Sequence, residues 1–122
     1  VKKKVKIEKM VKQSANLGSF VSSLYTEEFD LMSRAVIDEV IEPDRSVLIP
    51  EFNAVKEISK KNGCVAVGIS GSGPSIFSLS NNRISSSKIL DSISSHYEKL
   101  GIDYDGFISK INSQGIKILD TK

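Results

Sequence analysis

The sequence predicts an α+β fold in which most helices come first and the strands follow. Apolar residues recur every three to four positions from Ile7 to Ile58, which is the period of amphipathic helices. After Gly63 the pattern changes to short apolar runs flanked by glycine and serine, which favours strands. Helical segments followed by alternating strands and helices predict a sheet with helices packed against it.

Two helices are predicted in the first part of the chain. The apolar stripe of the first helix runs from Ile7 to Tyr25. Thr26 is the predicted N-cap of the second helix, because Glu27 and Glu28 would then lie near the positive end of its dipole. The apolar face of this second helix consists of Phe29, Met32, Val36 and Val40.

A loop and a third helix are predicted next. Pro43 disfavours helix at the residue before it, so residues 42–46 are predicted to form a loop or turn. Pro50 suits the first turn of the third helix, where its missing N–H would have no partner. This helix is expected to end at Asn62 and Gly63, since glycine readily adopts the left-handed C-cap conformation.

The strands are predicted as two antiparallel pairs. Residues 64–69 and 75–79 form the first pair, and residues 107–111 and 116–119 form a hairpin at the end of the chain. Between the pairs a fourth helix is predicted, with serines before it as caps and Gly101 as its stop. Together these elements predict a ferredoxin-like plait, an antiparallel four-stranded sheet with helices packed on one face, preceded by leading helices.

The composition predicts a soluble globular domain with no nucleic-acid or membrane partner. Hydrophobic residues make up 39% of the 122 residues and charged residues 26%, which suits one domain with one core. No apolar run approaches the roughly 20 residues of a membrane span, and no secretory signal is recognisable. The 17 basic and 15 acidic residues give a net charge of +2, which is too small to favour nucleic acid.

The single cysteine and the single histidine predict neither a disulfide nor a metal site. Cys64 cannot form an internal disulfide and fits a reducing compartment, so we expect a cytoplasmic protein. Because it lies in a predicted strand, it is expected to be a small core residue rather than a nucleophile. His96 has no cysteine or carboxylate at ligand spacing, so no metal ligand is predicted there.

A glycine-rich segment between the first two strands has the most specific chemical pattern. Gly68, Gly71 and Gly73 permit backbone angles that side chains forbid, and successive N–H groups in such a turn can hold an anion. Ser70 and Ser72 add hydroxyl groups that can bind phosphate or carboxylate oxygens. The pattern alone is equally compatible with a tight hairpin that binds no ligand.

Neither common nucleotide-binding loop fits this segment. The P-loop requires a lysine after its last glycine and a helix that begins there, and both are missing. The dinucleotide fingerprint also opens a helix, but Pro74 stands where that helix would start.

Two segments together resemble a known kinase family. Gly68-Ile69-Ser70-Gly71-Ser72-Gly73-Pro74-Ser75 resembles the third motif of the superfamily named for galactokinase, homoserine kinase, mevalonate kinase and phosphomevalonate kinase. Upstream, Glu42-Pro43-Asp44-Arg45-Ser46-Val47-Leu48-Ile49-Pro50-Glu51-Phe52 is similar to a segment of homoserine kinases. That family often has glycine at the position of Glu51 and alanine at that of Ser46.

The resemblance implies that residues 1–122 are the C-terminal, substrate-side domain of a kinase whose N-terminal domain is not in this chain. Such an enzyme transfers the γ-phosphoryl group of ATP to the side-chain hydroxyl of homoserine, in threonine biosynthesis. ATP and magnesium would be bound mainly by the N-terminal domain, so the fragment alone should be inactive. The longer enzyme could also form a homodimer. The substrate-binding residues implied are Arg45, Ser70, Gly71, Ser72 and Gly73.

Several alternatives stay open on the sequence. Arg45 could instead form a surface ion pair with Glu42 or Asp44. The enzyme could be a superfamily kinase of the mevalonate or shikimate type, or the chain could be a free-standing ferredoxin-like module that binds a ligand or a partner protein. No catalytic base is predicted, because Asp38 and Glu39 on the second helix are expected to be solvated or structural.

Overall fold

The computed structural model describes residues 4–120 and shows a mixed α+β fold, which confirms the predicted class. Helix α1 packs against α2, whereas α4 packs against β1 and α5. In chain order the elements are α1 (Ile7–Thr26), α2 (Phe29–Ala35), α3 (Glu42–Arg45), a 3₁₀ helix (Ser46–Leu48), α4 (Phe52–Lys61), β1 (Ala66–Ile69), β2 (Ile76–Leu79) and α5 (Arg83–Leu100).

The turn between α1 and α2 differs from the prediction. Thr26 is the last residue of α1 rather than the N-cap of α2, and Glu27 follows it with a left-handed φ of 56°. The Thr26 hydroxyl lies 3.3 Å from the Ser22 carbonyl oxygen and 2.8 Å from the Glu28 carboxylate. Its hydroxyl is therefore used within α1 and across the turn, which is how threonine behaves inside a helix. α2 begins only at Phe29.

Helix α2 is shorter than predicted. It ends at Ala35, so Val40 does not extend its apolar face. The Asp38 carboxylate accepts hydrogen bonds from the backbone N–H groups of Val40 and Ile41, at 2.9 and 2.7 Å. A short acidic side chain that bonds to nearby backbone in this way competes with the helical ladder. Asp38 is thus structural, as expected, but it lies in a turn and not on a helix.

Side chains of α1 hold this turn in place. The Gln13 amide oxygen accepts a hydrogen bond from the Glu39 backbone N–H at 2.8 Å. The Asn16 amide donates to the Ile37 carbonyl at 2.9 Å, and Lys12 forms an ion pair with the Glu39 carboxylate. α1 therefore fixes the start of the segment that leads into α3.

The segment predicted as a loop after this turn is partly helical. Residues 42–45 form α3, and Pro43 is tolerated because it lies in the first turn, where its N–H would have no partner. α4 begins at Phe52, so Pro50 precedes the helix instead of lying in its first turn. The predicted end is confirmed, since Asn62 is the C-cap and is followed by Gly63 with a φ of 82°.

The two strands form the antiparallel hairpin that the sequence predicted. Ala66 pairs with Leu79 and Ile69 pairs with Ile76. The first strand is shorter than expected at its start, although the Val65 N–H still donates to the Leu79 carbonyl at 2.7 Å.

Helix α5 is confirmed, with a different cap. The N-cap is Asn82 and not one of the serines, and its side-chain oxygen accepts from the Ser85 N–H at 2.8 Å. The helix ends at Leu100, and Gly101 is its C-cap with a φ of 67°, as predicted.

The predicted hairpin at the end of the chain is wrong, and the four-stranded sheet is not confirmed. Residues 102–120 contain no strand, so the sheet of the described residues has two strands. Gly106 lies against the Leu90 side chain, so this segment packs on α5 instead of pairing with β2. Phe107 is 87% exposed and Ile116 fully exposed, and a hairpin that buries no apolar face is marginal in water.

The core lies where α4, β1 and α5 meet. Its buried side chains include Phe52, Val55, Val67, Ile89 and Tyr97. No helix in residues 4–120 combines the length and the apolar character needed to span a membrane.

Candidate functional site

The glycine-rich loop is the connection between β1 and β2. The Ser70 N–H donates to the Ser75 carbonyl at 2.8 Å, and the Gly73 N–H donates to the Ser70 carbonyl at 3.3 Å. Gly71 and Gly73 have φ values of 62° and 80°, in the region that favours glycine. The peptide bond between Gly73 and Pro74 is cis. The two backbone hydrogen bonds close the loop on itself.

The tip of the loop presents donors to the solvent. Ser70, Gly71 and Ser72 are exposed. In the described part of the chain, neither the Ser70 nor the Ser72 hydroxyl has a hydrogen-bond partner, and the N–H groups of Gly71 and Ser72 have no backbone acceptor. Two hydroxyls and two N–H groups are therefore available to an anion from outside.

The guanidinium of Arg45 is also available to a ligand. Arg45 is the last residue of α3 and is partly buried. Within residues 4–120 its guanidinium forms no ion pair and no hydrogen bond. The alternative partner Glu42 is bound instead by Lys56, with Nζ 2.5 Å from Oε1. The planar fork of Arg45 can therefore bind an external carboxylate.

Ile49 brings the Arg45 segment against the glycine loop. A Cβ atom placed on Gly73 would lie 3.3 Å from Cδ1 of Ile49, which is only 6% exposed. Because Ile49 follows Arg45 by four residues, this contact places the α3 segment beside the loop. In the described residues no hydrogen bond joins Arg45 to Ser70, Ser72 or Gly73. The structure thus brings the segments of the predicted site together, and within residues 4–120 the Arg45 guanidinium and the Ser70 and Ser72 hydroxyls have no partner.

Helix α5 supports the link between this segment and α4. The Tyr97 hydroxyl donates to the Pro50 carbonyl at 3.0 Å. His96 Nε2 lies 3.1 Å from the Glu51 carboxylate, so the single histidine contacts a carboxylate here. Burial of Tyr97, reinforced by the nearby Glu51 charge, raises the pKa of its hydroxyl, which therefore stays protonated and acts as a donor.

Cys64 precedes β1 and behaves as a structural residue. Its burial raises the pKa of the thiol, and this outweighs the opposing effects of the nearby Ser78 hydroxyl and the charge of Lys60. A thiol with a raised pKa carries little thiolate at neutral pH, which makes it a poor nucleophile.

No metal site is evident in residues 4–120. No group of three or more His, Cys, Asp or Glu side chains is placed to hold an ion there.

A cavity of about 830 Å³ lies beside the hairpin. It is lined by β2, α5 and residues 102–111 together with Ile49, Pro50, Pro74 and Ser75, and by none of Arg45, Ser70, Gly71, Ser72 and Gly73. Its lining is largely apolar, with Ile89 and Ile93 among its residues. The charged side chains of Asp103, Asp105 and Lys110 also line it, but none of the predicted substrate-binding residues does.

Sequence reasoning missed two contacts that shape the site. It did not identify Ile49 as the residue that packs on Gly73, and it considered Glu42 only as a partner for Arg45. The Glu42–Lys56 pair joins residues on two helices, and no local spacing rule indicates such a pair. The preference of a carboxylate for any nearby cation was the only available signal.

Known proteins with related sequences agree on one kind of enzyme. The family described as GHMP kinases C terminal matches residues 20–99. Homoserine kinase of Chlorobaculum tepidum is 34% identical over 121 residues, covering 98% of this chain and 37% of that protein. Homoserine kinase of Buchnera aphidicola subsp. Acyrthosiphon pisum is 40% identical over 95 residues, covering 78% of this chain and 31% of that protein.

A solved structure has the same fold over nearly the whole chain. The crystal structure of homoserine kinase from Cytophaga hutchinsonii matches with a TM-score of 0.89 at 36% sequence identity. The match covers 94% of this chain and 36% of that one. The chain therefore spans well under half the length of the relatives it matches.

Proposed function

Because the chain belongs to the GHMP kinases C terminal family, we propose that it is the substrate-side, C-terminal domain of a homoserine kinase. One observation carries the proposal: the Arg45 guanidinium has no partner within residues 4–120 and lies on the segment that packs against the glycine loop. The relatives named as homoserine kinases support homoserine as the substrate.

In the proposed reaction the side-chain hydroxyl of homoserine attacks the γ-phosphorus of ATP. The bond from that phosphorus to the β-phosphate oxygen breaks, and the hydroxyl proton is released. Such transfers depend mainly on positioning and on stabilisation of charge. The role of this chain in the reaction is to bind and position homoserine, the phosphoryl acceptor. We assign no catalytic base to this chain.

The site residues divide this task between them. Arg45 binds the α-carboxylate of homoserine through two parallel hydrogen bonds, which a guanidinium suits better than an ammonium. Ser70, Gly71 and Ser72 supply hydroxyl and N–H donors at the other side of the substrate, next to the nucleotide. Gly73 shapes the loop and keeps it against Ile49.

We place ATP and magnesium mainly in the N-terminal domain of the longer enzyme. The glycine loop of this chain joins two strands, whereas the common nucleotide loops open a helix whose N-terminus binds phosphate. Magnesium, held there with the ATP, would supply positive charge that stabilises the phosphoryl group during transfer. The chain alone is then expected to be inactive.

The apolar face of α1 supports an interface with that N-terminal domain. Ile7, Val11, Leu17 and Tyr25 are between 62% and 87% exposed. An apolar stripe of this length on a helix is typical of a surface that another part of the protein covers. A second copy of the chain in a homodimer is the alternative occupant.

The longer enzyme would also complete the four-stranded plait. β2 pairs with β1 along one edge, and no other strand in residues 4–120 pairs with it. The cavity of about 830 Å³ separates β2 from residues 102–111. An extended segment from outside this chain would fit between them, and residues 107–111 could then form the outer strand.

The proposed enzyme acts in threonine biosynthesis, and we place it in the cytoplasm. Homoserine phosphorylation supplies an activated precursor of threonine. The single cysteine supports a reducing compartment, because proteins of oxidising compartments are richer in paired cysteines.

Two other functions are the alternatives. A superfamily kinase of the mevalonate or shikimate type would use the same loop, but the Arg45 segment and the named relatives favour homoserine. A free-standing binding module is the other alternative, and the family match counts against it. The sequence of the parent gene distinguishes a kinase from a free-standing binding module. An upstream domain with a Gly-Ser-rich phosphate loop supports a kinase, and the absence of such a domain supports the module.

The deciding experiment compares acceptors and variants of the longer enzyme that contains this chain. We expect ATP-dependent phosphorylation of homoserine and not of mevalonate or shikimate. Arg45→Ala should raise the KM for homoserine by about 10-fold to 100-fold, the worth of a charged hydrogen bond, and the KM for ATP by less than about twofold. Arg83→Ala, which removes an exposed arginine at the start of α5, is the control.

Two results would contradict the proposal. Equal effects of Arg45→Ala on the KM values of both substrates would remove Arg45 from the homoserine site. Activity on mevalonate or shikimate without activity on homoserine would show that the substrate is wrong.

A further inference from the structure

A largely buried ion pair lies next to Arg45 in the fold. The Lys56 ammonium binds the Glu42 carboxylate, and these side chains are only 20% and 15% exposed. In every other ion pair within residues 4–120, at least one side chain is 42% exposed or more. Water and salt therefore screen the Glu42–Lys56 pair least.

Glu42 and Arg45 lie three residues apart on the single turn of α3. Side chains at this spacing are neighbours on a helix, and an acidic residue that precedes a basic one attracts it. Asp44 is adjacent in sequence, and consecutive helical residues do not face each other. Of the two acidic residues of α3, Glu42 is thus better placed than Asp44 to pair with Arg45, yet in the structure Lys56 binds it.

We propose that Lys56 is a positioning residue that holds the Glu42 carboxylate away from Arg45, so that the guanidinium stays available for the carboxylate of the substrate. The inference rests on the proposed function, in which Arg45 binds the homoserine carboxylate. Glu42 and the substrate offer Arg45 the same chemical group, so internal pairing competes directly with binding.

Contacts at both ends keep the pair in place. The Lys56 ammonium lies 5.4 Å from the centroid of the Phe52 ring, which attracts a cation and is itself 3% exposed. On the other side, a Cβ atom placed on Gly68 would lie 3.9 Å from Oε2 of Glu42. The Glu42 carboxylate is therefore held between α4 and the backbone of β1.

The test measures kcat and both KM values for variants of the longer enzyme. Lys56→Met frees the Glu42 carboxylate, so the KM for homoserine rises about fivefold, while kcat and the KM for ATP stay within about twofold. The double variant Glu42→Gln/Lys56→Met has no carboxylate to capture Arg45, so the KM for homoserine returns to the wild-type value. Lys56→Arg keeps the positive charge, so its KM for homoserine also stays at the wild-type value. Lys60→Met, on the same helix in an exposed pair, is the control.

The double variant separates positioning from a purely structural role. The proposal is overturned if the KM for homoserine of the double variant stays as high as that of Lys56→Met. It is also overturned if Lys56→Met leaves this KM unchanged. Should Lys56→Met not fold, Glu42→Gln alone decides: the proposal requires a KM for homoserine at or below the wild-type value, and a higher one contradicts it.

A second readout does not depend on the substrate. Phenylglyoxal modifies guanidinium groups, and peptide mapping by mass spectrometry follows Arg45 alone. We expect Arg45 to react about fivefold more slowly in Lys56→Met than in the wild type, and at the wild-type rate in the double variant. Equal rates in all three proteins overturn the positioning role. Absence of homoserine phosphorylation by the wild type, in contrast, sinks only the proposed function.

Discussion

Tyr97 and Pro50 join α5 to the site, because the Tyr97 hydroxyl donates a hydrogen bond to the Pro50 carbonyl at 3.0 Å. Pro50 directly follows Ile49, whose side chain packs on Gly73 of the loop. One hydroxyl of α5 thus fixes the backbone beside the residue that supports the glycine loop. Tyr97 is 9% exposed and the hydrogen bond is partly buried, which limits the access of water to it.

Tyr97→Phe should lower the free energy of unfolding by about 1 kcal/mol, because it leaves the Pro50 carbonyl without its partner and keeps the ring. Denaturant unfolding of the two proteins measures the difference. Tyr104→Phe is the matched control, since its hydroxyl binds the Glu98 carboxylate at an exposed site, and it should change stability by less than about 0.5 kcal/mol. Equal losses in both variants would show that the Tyr97 bond has no special role.

Gly73→Ala should destabilise the protein more than Gly71→Ala. Both positions have a positive φ, so each substitution costs about 1–2 kcal/mol of backbone strain. Only the Cβ atom at Gly73 meets a neighbour, Cδ1 of Ile49 at 3.3 Å, whereas nothing lies within 4 Å at Gly71. We expect about 1 kcal/mol more loss for Gly73→Ala, measured by denaturant unfolding.

A double-mutant cycle identifies the neighbour responsible. Ile49→Val removes Cδ1 and should itself cost about 1 kcal/mol. Combined with Gly73→Ala, it should cost less than the sum of the two, because the crowded atom is gone. Strict additivity would mean that the two side chains do not interact.

Cys64 should give a stability contribution that disappears at high pH. Burial raises the pKa of its thiol in the folded protein above that of the unfolded chain. The folded state therefore favours the neutral thiol, so the contribution is complete below the unfolded pKa and is lost as the pH rises through the folded one. Unfolding measured from pH 7 to 10.5 should show a steeper loss in the wild type than in Cys64→Ser.

The same shift predicts slow alkylation. At pH 8 iodoacetamide should react with Cys64 more slowly than with a thiol in a short peptide, since the thiolate is the reactive form. The rate should rise to the peptide value in denaturant. A fast reaction in the folded protein would contradict the burial of this thiol.

Helices α1, α4 and α5 and the β1–β2 hairpin could be predicted because their signals are local, whereas α3 was predicted as a loop. Gly63 and Gly101 end α4 and α5 at the predicted places, since a left-handed C-cap needs only a glycine at the right position. The start and the end of α2 were missed, because Thr26 and Asp38 use their side chains in ways that the capping pattern does not distinguish.

The final hairpin failed for a different reason. Residues 107–111 and 116–119 alternate like strands, but a strand forms only where another strand or an apolar surface receives it. Within the described residues the chain packs Gly106 on α5 and leaves Phe107 exposed. These residues have the composition of strands, but no neighbouring strand in residues 4–120 pairs with them, so they do not form a sheet.

The sequence by itself determined the α+β class and predicted the residues of the candidate site. The glycines of the loop and Arg45 are recognisable because backbone freedom and a fixed charge are properties of single residues. Tertiary structure alone decided which of those groups are available. Glu42 binds Lys56 across two helices and Ile49 packs on Gly73 across the loop, and both contacts depend on distances that no sequence spacing specifies. On the proposed role of Lys56, Arg45 remains available to a ligand because the Glu42 carboxylate on the same helical turn already binds Lys56.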